Sequence, residues 1–480
     1  MRHTRLYLIL WLAIGPVAMQ VMAQGGTARQ MQDRSAAPRQ PAPLVPPHPV
    51  DLILGRPTGT SVVLSVLCDC DAAAVVAYGM QKPNLSDRTG RISLAKDRPR
   101  EIILEKLRPD TAYFYRLLDG GSEKTMGEGS FHTARPPGST FTFTVTADSH
   151  LDQNTDPALY QRTLATALAD RPDFHVDLGD TFMTEKHENR GNATRQYLAQ
   201  RFYFGQLAHA APLFLVLGNH DGEERKLLRD GADSLAVWAN TMRKLYFPNP
   251  VPDDFFTGNA AKDPLAGLLQ DYSAWQWGDA LFVVLEPYWH AANRRADERW
   301  ELSLGESQYN WLKQTLEVSR ARFKMVFLHQ LVGGIDRQGR GGVEAAAFGE
   351  WGGKNADGSD GFQDHRPGWD EPVHQLLVRH HVTIVFHGHD HLFAHQELDG
   401  IVYQEVPQPG DPHGNTRTAA EYGYHDGVIL GSSGYMRVVV SPAKVRVEYV
   451  RSWLPKNATP AHSDGEIAFS CEIPARPGSK

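Results

Sequence analysis

The chain has 480 residues, of which 41% are hydrophobic and 10% aromatic, so it can bury the cores of two or three domains. Its formal net charge is −7 and it contains no long basic block, which excludes nucleic acid as an expected general partner. No apolar run of eighteen or more residues follows the N-terminal segment, and this excludes an integral membrane body.

Residues 1–23 have the pattern of a secretory signal peptide. Arg2 and Arg5 precede an apolar stretch over residues 6–19, and small residues offer a cleavage site near Ala23. An uncleaved signal anchor is the alternative, although a glycine and a proline interrupt the apolar helix. Both readings predict export to the periplasm or the exterior, and cleavage would leave no membrane span and a net charge of about −9.

Two segments separate this leader from the rest of the chain. Residues 24–48 are rich in Gln, Ala, Pro and Arg without periodicity, which predicts a disordered or polyproline-like linker. Residues 49–135 consist of short alternating runs divided by turn residues, as in a β-sandwich. The run over residues 107–116 resembles the tyrosine corner of fibronectin type III modules, and residues 129–134 resemble the last strand of such a module. The resemblance implies a spacer or platform.

The chain contains three cysteines, Cys68, Cys70 and Cys471. Residues two apart on a strand rarely bridge each other, so one of the first two could pair with Cys471. The alternative is that all three remain unpaired as small hydrophobic residues. They lack the spacing of metal ligands, so no function is predicted for them.

The pattern changes after a Pro-Pro-Gly linker. Over residues 139–455 apolar runs alternate with helical periodicity, which predicts an α/β domain, and residues 456–480 are assigned as a C-terminal tail. Asp156 and Pro157 supply the cap and first turn of one helix. Residues 303–316 predict another, with apolar residues at helical spacing.

Five apolar strands of the α/β region each run into residue types that bind metals. Because ligands bind beyond the carboxyl ends of strands in open α/β sheets, these side chains are expected to converge. Each motif alone is weak, but their occurrence in order at strand ends favours a metal site. The strands are predicted at residues 141–147, 174–178, 212–217, 324–328 and 382–386. The candidate ligands are two carboxylates, one amide and four imidazoles, namely Asp148, His150, Asp180, Asn219, His329, His389 and His391.

This series of motifs resembles the five-block signature of calcineurin-like metallophosphoesterases, over about residues 140–450. A fibronectin-like module in front of such a domain is similar to the layout of purple acid phosphatases. The resemblance implies an α/β fold of two packed mixed sheets flanked by helices, preceded by an all-β sandwich. It also implies an acid phosphatase-like hydrolase.

The resemblance further implies a role for each residue. One metal is held by Asp148, His150, Asp180 and His391. The other is held by Asp180, Asn219, His329 and His389, so that Asp180 bridges the two. His220 and Asp221 are the catalytic candidates. The resemblance implies that the counterpart of His220 faces the scissile phosphate, and the adjacent Asp221 is expected to orient it. Purple acid phosphatases have an iron-binding tyrosine where this chain has Met183 and lack the histidine found here as His150, so the ordinary metallophosphoesterase type of site is expected.

Oxygen and imidazole ligands without thiolate suit two divalent ions of Mn, Zn or Fe(II) and do not select among them. A shared carboxylate would hold the ions about 3.5–4 Å apart, the spacing at which a bridging water becomes a nucleophile. The favoured function is therefore hydrolysis of small-molecule phosphomonoesters by metal-bound hydroxide. One alternative is a phosphodiesterase for cyclic nucleotides or phospholipid head groups. Another is a non-catalytic exported binding or adhesion protein on a phosphatase fold, whose mark would be missing ligands.

Residues around the motifs are given supporting roles. The glycine-rich stretch over residues 333–361 is expected to form a loop at the site mouth, where Arg337 or Arg340 would contact substrate. Residues 222–272 are expected to shape specificity, and His387 is expected to pack in the core. The rim of the site is predicted from Glu185, His187 and Arg190.

Overall fold

The structure, a computed structural model, describes residues 45–476 apart from residues 292–297, 415 and 461. The predicted signal peptide and most of the predicted linker lie outside the described residues. Within them, no helix combines the length and the apolar character that a bilayer crossing requires.

The N-terminal region is an antiparallel β-sandwich, as predicted. Its sheets have the strand orders β1-β2-β6 and β4-β3-β7-β8, and β5 also pairs with β3. The N–H of Arg108 donates to the phenol oxygen of Tyr113 at 2.9 Å, which is the hydrogen bond expected of a tyrosine corner. The strands are β1 (Val50–Gly55), β2 (Val62–Cys68), β3 (Ala72–Gly79), β4 (Asp87–Arg88), β5 (Ile92–Leu94), β6 (Arg100–Leu104), β7 (Ala112–Asp119) and β8 (Thr125–His132).

The second region is built on two larger sheets. One has six strands in the order β11-β10-β9-β22-β23-β24, and the other has eight in the order β12-β15-β16-β17-β18-β20-β19-β21. The first strands are β9 (Phe141–Thr146), β10 (Phe174–Asp177), β11 (Leu213–Leu215), β12 (Thr257–Gly258), β13 (Lys262–Asp263), β14 (Gly267–Leu268), β15 (Ser273–Trp277) and β16 (Ala280–Val284). The remainder are β17 (Phe323–Phe327), β18 (Ile384–His387), β19 (Leu392–Leu398), β20 (Ile401–Glu405), β21 (Val428–Gly431), β22 (Gly434–Val440), β23 (Lys444–Arg451) and β24 (Ile467–Pro474).

Aromatic side chains from both sheets interlock between them. Phe143 and Phe174 project from the six-stranded sheet, and Phe282, Phe327 and Phe386 project from the eight-stranded sheet; all five are buried. The ring centroids of Phe143 and Phe282 lie 5.2 Å apart in an edge-on contact. Aromatic burial of this kind dominates core energetics, so the sheets are held face to face as two layers.

Helices cover the outer faces of both sheets. Helix α1 begins at its predicted cap, where the Asp156 carboxylate accepts the N–H groups of Ala158 and Leu159. Helix α4 begins at Gly305, two residues after the predicted start, and buries its apolar stripe against the eight-stranded sheet. The helices are α1 (Pro157–Ala169), α2 (Arg190–Ala208), α3 (Leu235–Tyr246), α4 (Gly305–Val318), α5 (Gly349–Gly352), α6 (Phe362–His365) and α7 (Val373–Arg379).

The N-terminal sandwich is docked directly on helix α2. The buried guanidinium of Arg201 donates to the hydroxyl and carbonyl oxygens of Ser65 on β2, at 3.1 and 3.3 Å, and also to the carbonyl oxygen of Tyr246. The phenol of Tyr115 on β7 donates to the carbonyl oxygen of His209 at 2.8 Å. Because the bonds to Ser65 and His209 join buried polar groups across the junction, the module serves as a platform for the α/β region.

The predicted end of the α/β domain at residue 455 is wrong. Strand β24 pairs antiparallel with β23, with Cys471 opposite Val447, so the six-stranded sheet continues to Pro474. Phe469, Cys471 and Ile473 alternate with polar residues and pack against the core between the sheets, which is the period-two signal of a strand. Of the two alternatives for the cysteines, the structure has the unpaired one, since Cys68, Cys70 and Cys471 are all free.

Candidate metal centre

The loops that carry the predicted motifs follow the carboxyl ends of the strands and meet at one shared edge of the two sheets. In the six-stranded sheet β9, β10 and β11 run parallel, and in the eight-stranded sheet β17 and β18 run parallel, so their carboxyl ends face the same way within each sheet. Backbone bonds then tie the loops together. The N–H of Asp148 donates to Gly179 O at 3.0 Å, and the N–H of Gly388 donates to His329 O at 2.8 Å.

Asp148, His150 and His391 form the first group of converging ligand atoms. The Nε2 atoms of His391 and His150 lie 3.4 and 3.6 Å from Asp148 Oδ1. Asp148 Oδ1 and His150 Nε2 are buried and have no hydrogen-bond partner among the described residues. Buried polar atoms normally have partners, so these two fit a cation bound between them.

Asp180, His329 and His389 form the second group, and Asn219 completes it. His329 Nε2 lies 3.4 Å from Asp180 Oδ2, 3.1 Å from Asn219 Oδ1 and 3.2 Å from His389 Nδ1. The opposite ring nitrogens of the two histidines face carbonyl oxygens, since His329 Nδ1 is 2.9 Å from Leu178 O and His389 Nε2 is 2.9 Å from Gln338 O. Protons on those outer nitrogens leave the inner lone pairs facing one point, as in metal-ligating histidines held by carbonyl groups.

The Asp180 carboxylate lies between the two groups. Its Oδ2 is 3.6 Å from His150 Nε2 and 3.4 Å from His329 Nε2, while its Oδ1 accepts the N–H of His220 at 2.8 Å. A single oxygen therefore faces ligands of both groups. The structure brings the six predicted Asp and His ligands into two groups and places Asn219 beside His329, and their donor set and orphaned atoms fit two divalent ions with Asp180 between them.

Five of these seven residues have a left-handed backbone. Their φ angles are 58° at Asp148, 39° at His150, 54° at Asp180, 86° at His389 and 59° at His391. Such conformations cost about 1–3 kcal/mol each for residues other than glycine and concentrate at functional sites. The fold thus directs these side chains towards the centre although the backbone conformation that this requires is unfavourable for residues other than glycine.

Two motif positions must be glycine because another ligand-bearing loop approaches their backbone closely. A Cβ on Gly218 would lie 2.1 Å from Asp180 N and 2.3 Å from Asp180 Oδ1. A Cβ on Gly388 would lie 2.7 Å from Asp148 Oδ2. Both distances are below van der Waals contact, so these motif glycines give the ligand-bearing turns room to pack against each other.

The carboxylates and histidines of the centre shift one another's pKa values. Burial acts to raise the pKa of Asp148 and Asp180, but the neighbouring histidines outweigh it and lower both below the ordinary range, so both carboxylates are ionised. The same carboxylates overcome burial and raise the pKa of His329 to about 9, whereas burial lowers that of His389 to about 3. Bound metal ions would balance the two buried negative charges and replace the protons on the ligating imidazoles.

His220 lies beside this centre and contacts Glu185. Its Nδ1 is within hydrogen-bonding distance of Glu185 Oε1, its Nε2 lies 4.0 Å from Asp180 Oδ2, and its side chain is 26% exposed. Glu185 belongs to a short 3₁₀ turn over Thr184–Lys186. Sequence reasoning placed Glu185 only at the rim, because nothing in the sequence links it to a histidine 35 positions later.

The prediction that Asp221 orients His220 as a catalytic residue is wrong. The Asp221 carboxylate is buried and accepts backbone N–H groups of Gly218, Thr181 and Phe182 at 2.8, 2.9 and 2.7 Å. Burial raises its pKa to about 7. Asp221 therefore supports the turns that carry Asp180 and Asn219, while its side chain is directed at backbone and not at the imidazole.

Some of the other residues predicted to surround the site reach the centre, and others do not. The glycine-rich loop reaches the centre through the carbonyl of Gln338, whereas the guanidinium of Arg340 pairs with Asp336 at 2.8 Å and stacks on Tyr422. Arg190 pairs with Asp233 at 2.7 Å and does not join the ligand groups. His387 is buried beside Glu405, with Nδ1 2.5 Å from Oε2, which confirms its predicted place in the core.

Comparison with known proteins agrees with this geometry. The family model for calcineurin-like phosphoesterases matches residues 141–393, more than half of the chain, and the chain belongs to that family. A search of curated proteins found no match.

Two solved structures share the fold over most of the chain. The structure of PhoD is 15% identical, with a TM-score of 0.63, over 90% of this chain and 92% of that one. The purple acid phosphatase PPD1 isolated from seeds of yellow lupin (Lupinus luteus) is 16% identical, with a TM-score of 0.59, over 90% of this chain and 75% of that one. The protein is thus a metallophosphoesterase with an N-terminal β-sandwich, and its buried Asp and His residues form candidate metal sites.

Proposed function

We propose that the protein is an exported phosphomonoesterase that uses two divalent ions of Mn, Zn or Fe. The observation that carries the proposal is the position of Asp180 Oδ2 between His150 and His329, at 3.6 and 3.4 Å. When bound there, a pair of divalent ions supplies Lewis-acid polarisation of a phosphoryl oxygen and a water that ionises near neutral pH.

The charge balance supports a monoester. Two divalent ions against the two carboxylates Asp148 and Asp180 leave about two positive charges at the centre. A monoester dianion matches that charge, whereas a diester carries one negative charge. A small-molecule phosphate ester is therefore the proposed substrate.

We assign to His220 the role of acting on the substrate beside the candidate ligands. Its partly exposed imidazole is 26% accessible and faces the same edge as Asp180. A proton on Nε2 would serve the leaving oxygen or hydrogen-bond a phosphoryl oxygen, and Glu185 at Nδ1 holds the ring. No side chain need form a covalent bond to phosphorus in this scheme.

Export is proposed from the sequence alone, on the basic and apolar pattern of residues 1–23. N-terminal sequencing of the protein recovered from the periplasm or the medium tests it. A mature chain beginning near residue 24 is expected, and recovery of the intact chain only from the cytoplasm would contradict the proposal.

The catalytic proposal is tested with aryl phosphates and metal analysis. Asp180→Asn should abolish hydrolysis of an aryl monophosphate, because the oxygen facing both ligand groups loses its charge. His220→Ala should keep the metal content and slow turnover by roughly 10²–10⁴-fold, the range of general acid–base contributions. Asp233→Asn makes the same chemical change at a side chain that is 87% exposed and should leave activity unchanged.

Full activity in Asp180→Asn would rule out the mechanism. A rate with a bis-aryl phosphate above that with the monoester would replace the monoesterase by a diesterase. Bound metal with no turnover of either ester would favour a non-catalytic binding protein on the same fold.

A further inference from the structure

We propose a third divalent-cation site, separate from the candidate metal centre, formed by Asp271, Glu286 and His290. One ligand atom from each residue lies within 4.8 Å of the others. Asp271 follows the β13–β14 ribbon, and the other two lie in the segment after β16. None of these three residues belongs to the phosphoesterase centre.

The spacing of these atoms matches that of the phosphoesterase ligands. His290 Nε2 lies 3.7 Å from Asp271 Oδ2, compared with 3.4–3.6 Å between histidine nitrogens and carboxylate oxygens in the first ligand group. Ligands about 2.0–2.2 Å from a tetrahedral ion are separated by roughly 3.4 Å. Small side-chain adjustments would therefore close the group around one ion.

Two atoms of the cluster are buried without a hydrogen-bond partner among the described residues. They are Asp271 Oδ1, on a side chain that is 2% exposed, and His290 Nε2. The carboxylate of Asp271 is aimed into the group, since its Oδ2 faces His290 and also accepts a hydrogen bond from Asn259 at 3.2 Å. The same signature, an orphaned carboxylate oxygen and an orphaned imidazole nitrogen, marks Asp148 and His150 in the phosphoesterase centre.

Within the described part of the chain, no lysine or arginine forms an ion pair with either carboxylate of the cluster. The buried guanidinium of Arg243 donates to Glu223 at 2.9 Å and to the carbonyl oxygens of Leu269 and Gln270. Glu286 is fully buried, and its Oε1 accepts the N–H groups of Tyr288 and Trp289 at 2.6 and 3.1 Å. Two acidic groups therefore face each other, and His290 is the ring that joins them. Burial and the neighbouring Asp271 raise the pKa of Glu286 against the backbone N–H donors, so a cation bound here would replace a proton on that carboxyl.

The donor set points to a first-row ion such as Zn²⁺ or Mn²⁺. Two carboxylates and one imidazole suit these ions, whereas Ca²⁺ takes six to eight oxygen ligands. The ion would fix the segment after β16, which also carries Tyr288. That phenol donates to Gln330 at 3.0 Å, and its ring centroid lies 6.5 Å from that of His329. An ion at the third site would thus stabilise the segment after β16, which lies beside the phosphoesterase centre.

Metal counting tests the site without using activity. Protein stripped with a chelator is dialysed against Zn²⁺ or Mn²⁺, and bound metal is measured by elemental analysis. Wild type is expected to hold three equivalents, and Asp271→Asn and His290→Ala are expected to hold two. His290 is only partly buried, so its variant tests the site even if Asp271→Asn fails to fold.

The phosphoesterase centre is distinguished by a second substitution. Asp180→Asn should lose metal from that centre, and adding Asp271→Asn should remove one further equivalent. The thermal midpoint of wild type should rise more with the metal than that of His290→Ala. Only two equivalents in wild type, or a third equivalent retained in both single variants, would overturn the proposal.

Discussion

Removal of the charge on Glu185 should slow catalysis without displacing metal. In the structure Glu185 is the side chain that contacts Nδ1 of His220, and no ligand atom of the two groups is bonded to it. Together with Asp180 it raises the pKa of His220 against the opposing effect of burial. Glu185→Gln keeps the size of the side chain but removes this charge, so the ring loses both its orientation and its stabilised proton.

The size of the effect follows from the interaction lost. Hydrogen bonds to charged groups contribute about 1.5–3 kcal/mol, and each 1.36 kcal/mol at the transition state is tenfold in rate. A loss of roughly 10- to 150-fold in kcat is therefore expected. KM should change little, because Glu185 holds a group that acts on the leaving oxygen and does not bind the phosphate ester directly.

Steady-state kinetics with an aryl monophosphate and elemental analysis measure both quantities in the same preparation. Glu306→Gln makes the same change on the exposed face of α4 and serves as the matched control. Glu185→Asp should recover part of the rate if charge at Nδ1 is what matters. Unchanged kcat in Glu185→Gln, or a fall that tracks metal loss, would refute the assignment of Glu185 as a positioning residue.

Two further outcomes follow from the buried framework. His175 is fully buried between Thr144 and Thr146, and burial lowers its pKa to about 3. At a pH between about 3 and 6.5 the imidazole therefore binds a proton in the unfolded state but not in the folded state. The folded state loses stability as the pH falls through this range. Wild type should therefore lose about 2 kcal/mol more than His175→Gln between pH 7 and pH 5 in urea unfolding, and equal losses would disprove the effect. Gly218→Ala should displace Asp180 and reduce metal content and activity together. Gly90→Ala is the control and should change neither, because a Cβ at Gly90 meets nothing within 4 Å. Normal metal content in Gly218→Ala would contradict the packing argument.

Sequence reasoning predicted the parts of the centre that depend on local pattern. Apolar strands followed by Asp, Asn or His identified the seven candidate ligands, since parallel strands bring the residues that follow them to one edge of a sheet. The cap at Asp156 and the apolar stripe of α4 are likewise set by neighbours within a turn or two. The alternation in residues 467–474 also carried a strand signal, but it was assigned to the tail.

Tertiary structure alone decided which side chains meet. The carboxylate that contacts His220 comes from Glu185 and not from the adjacent Asp221, because the turn of Asp221 directs its carboxylate at backbone N–H groups. The backbone carbonyls of Leu178 and Gln338 contact the candidate ligands His329 and His389, and no side-chain pattern in the sequence predicts these contacts. The amino-acid sequence therefore determined the strands and the residue types at their ends, by short-range periodicity. The partners of each side chain depend on contacts between distant segments, which only the packed chain defines.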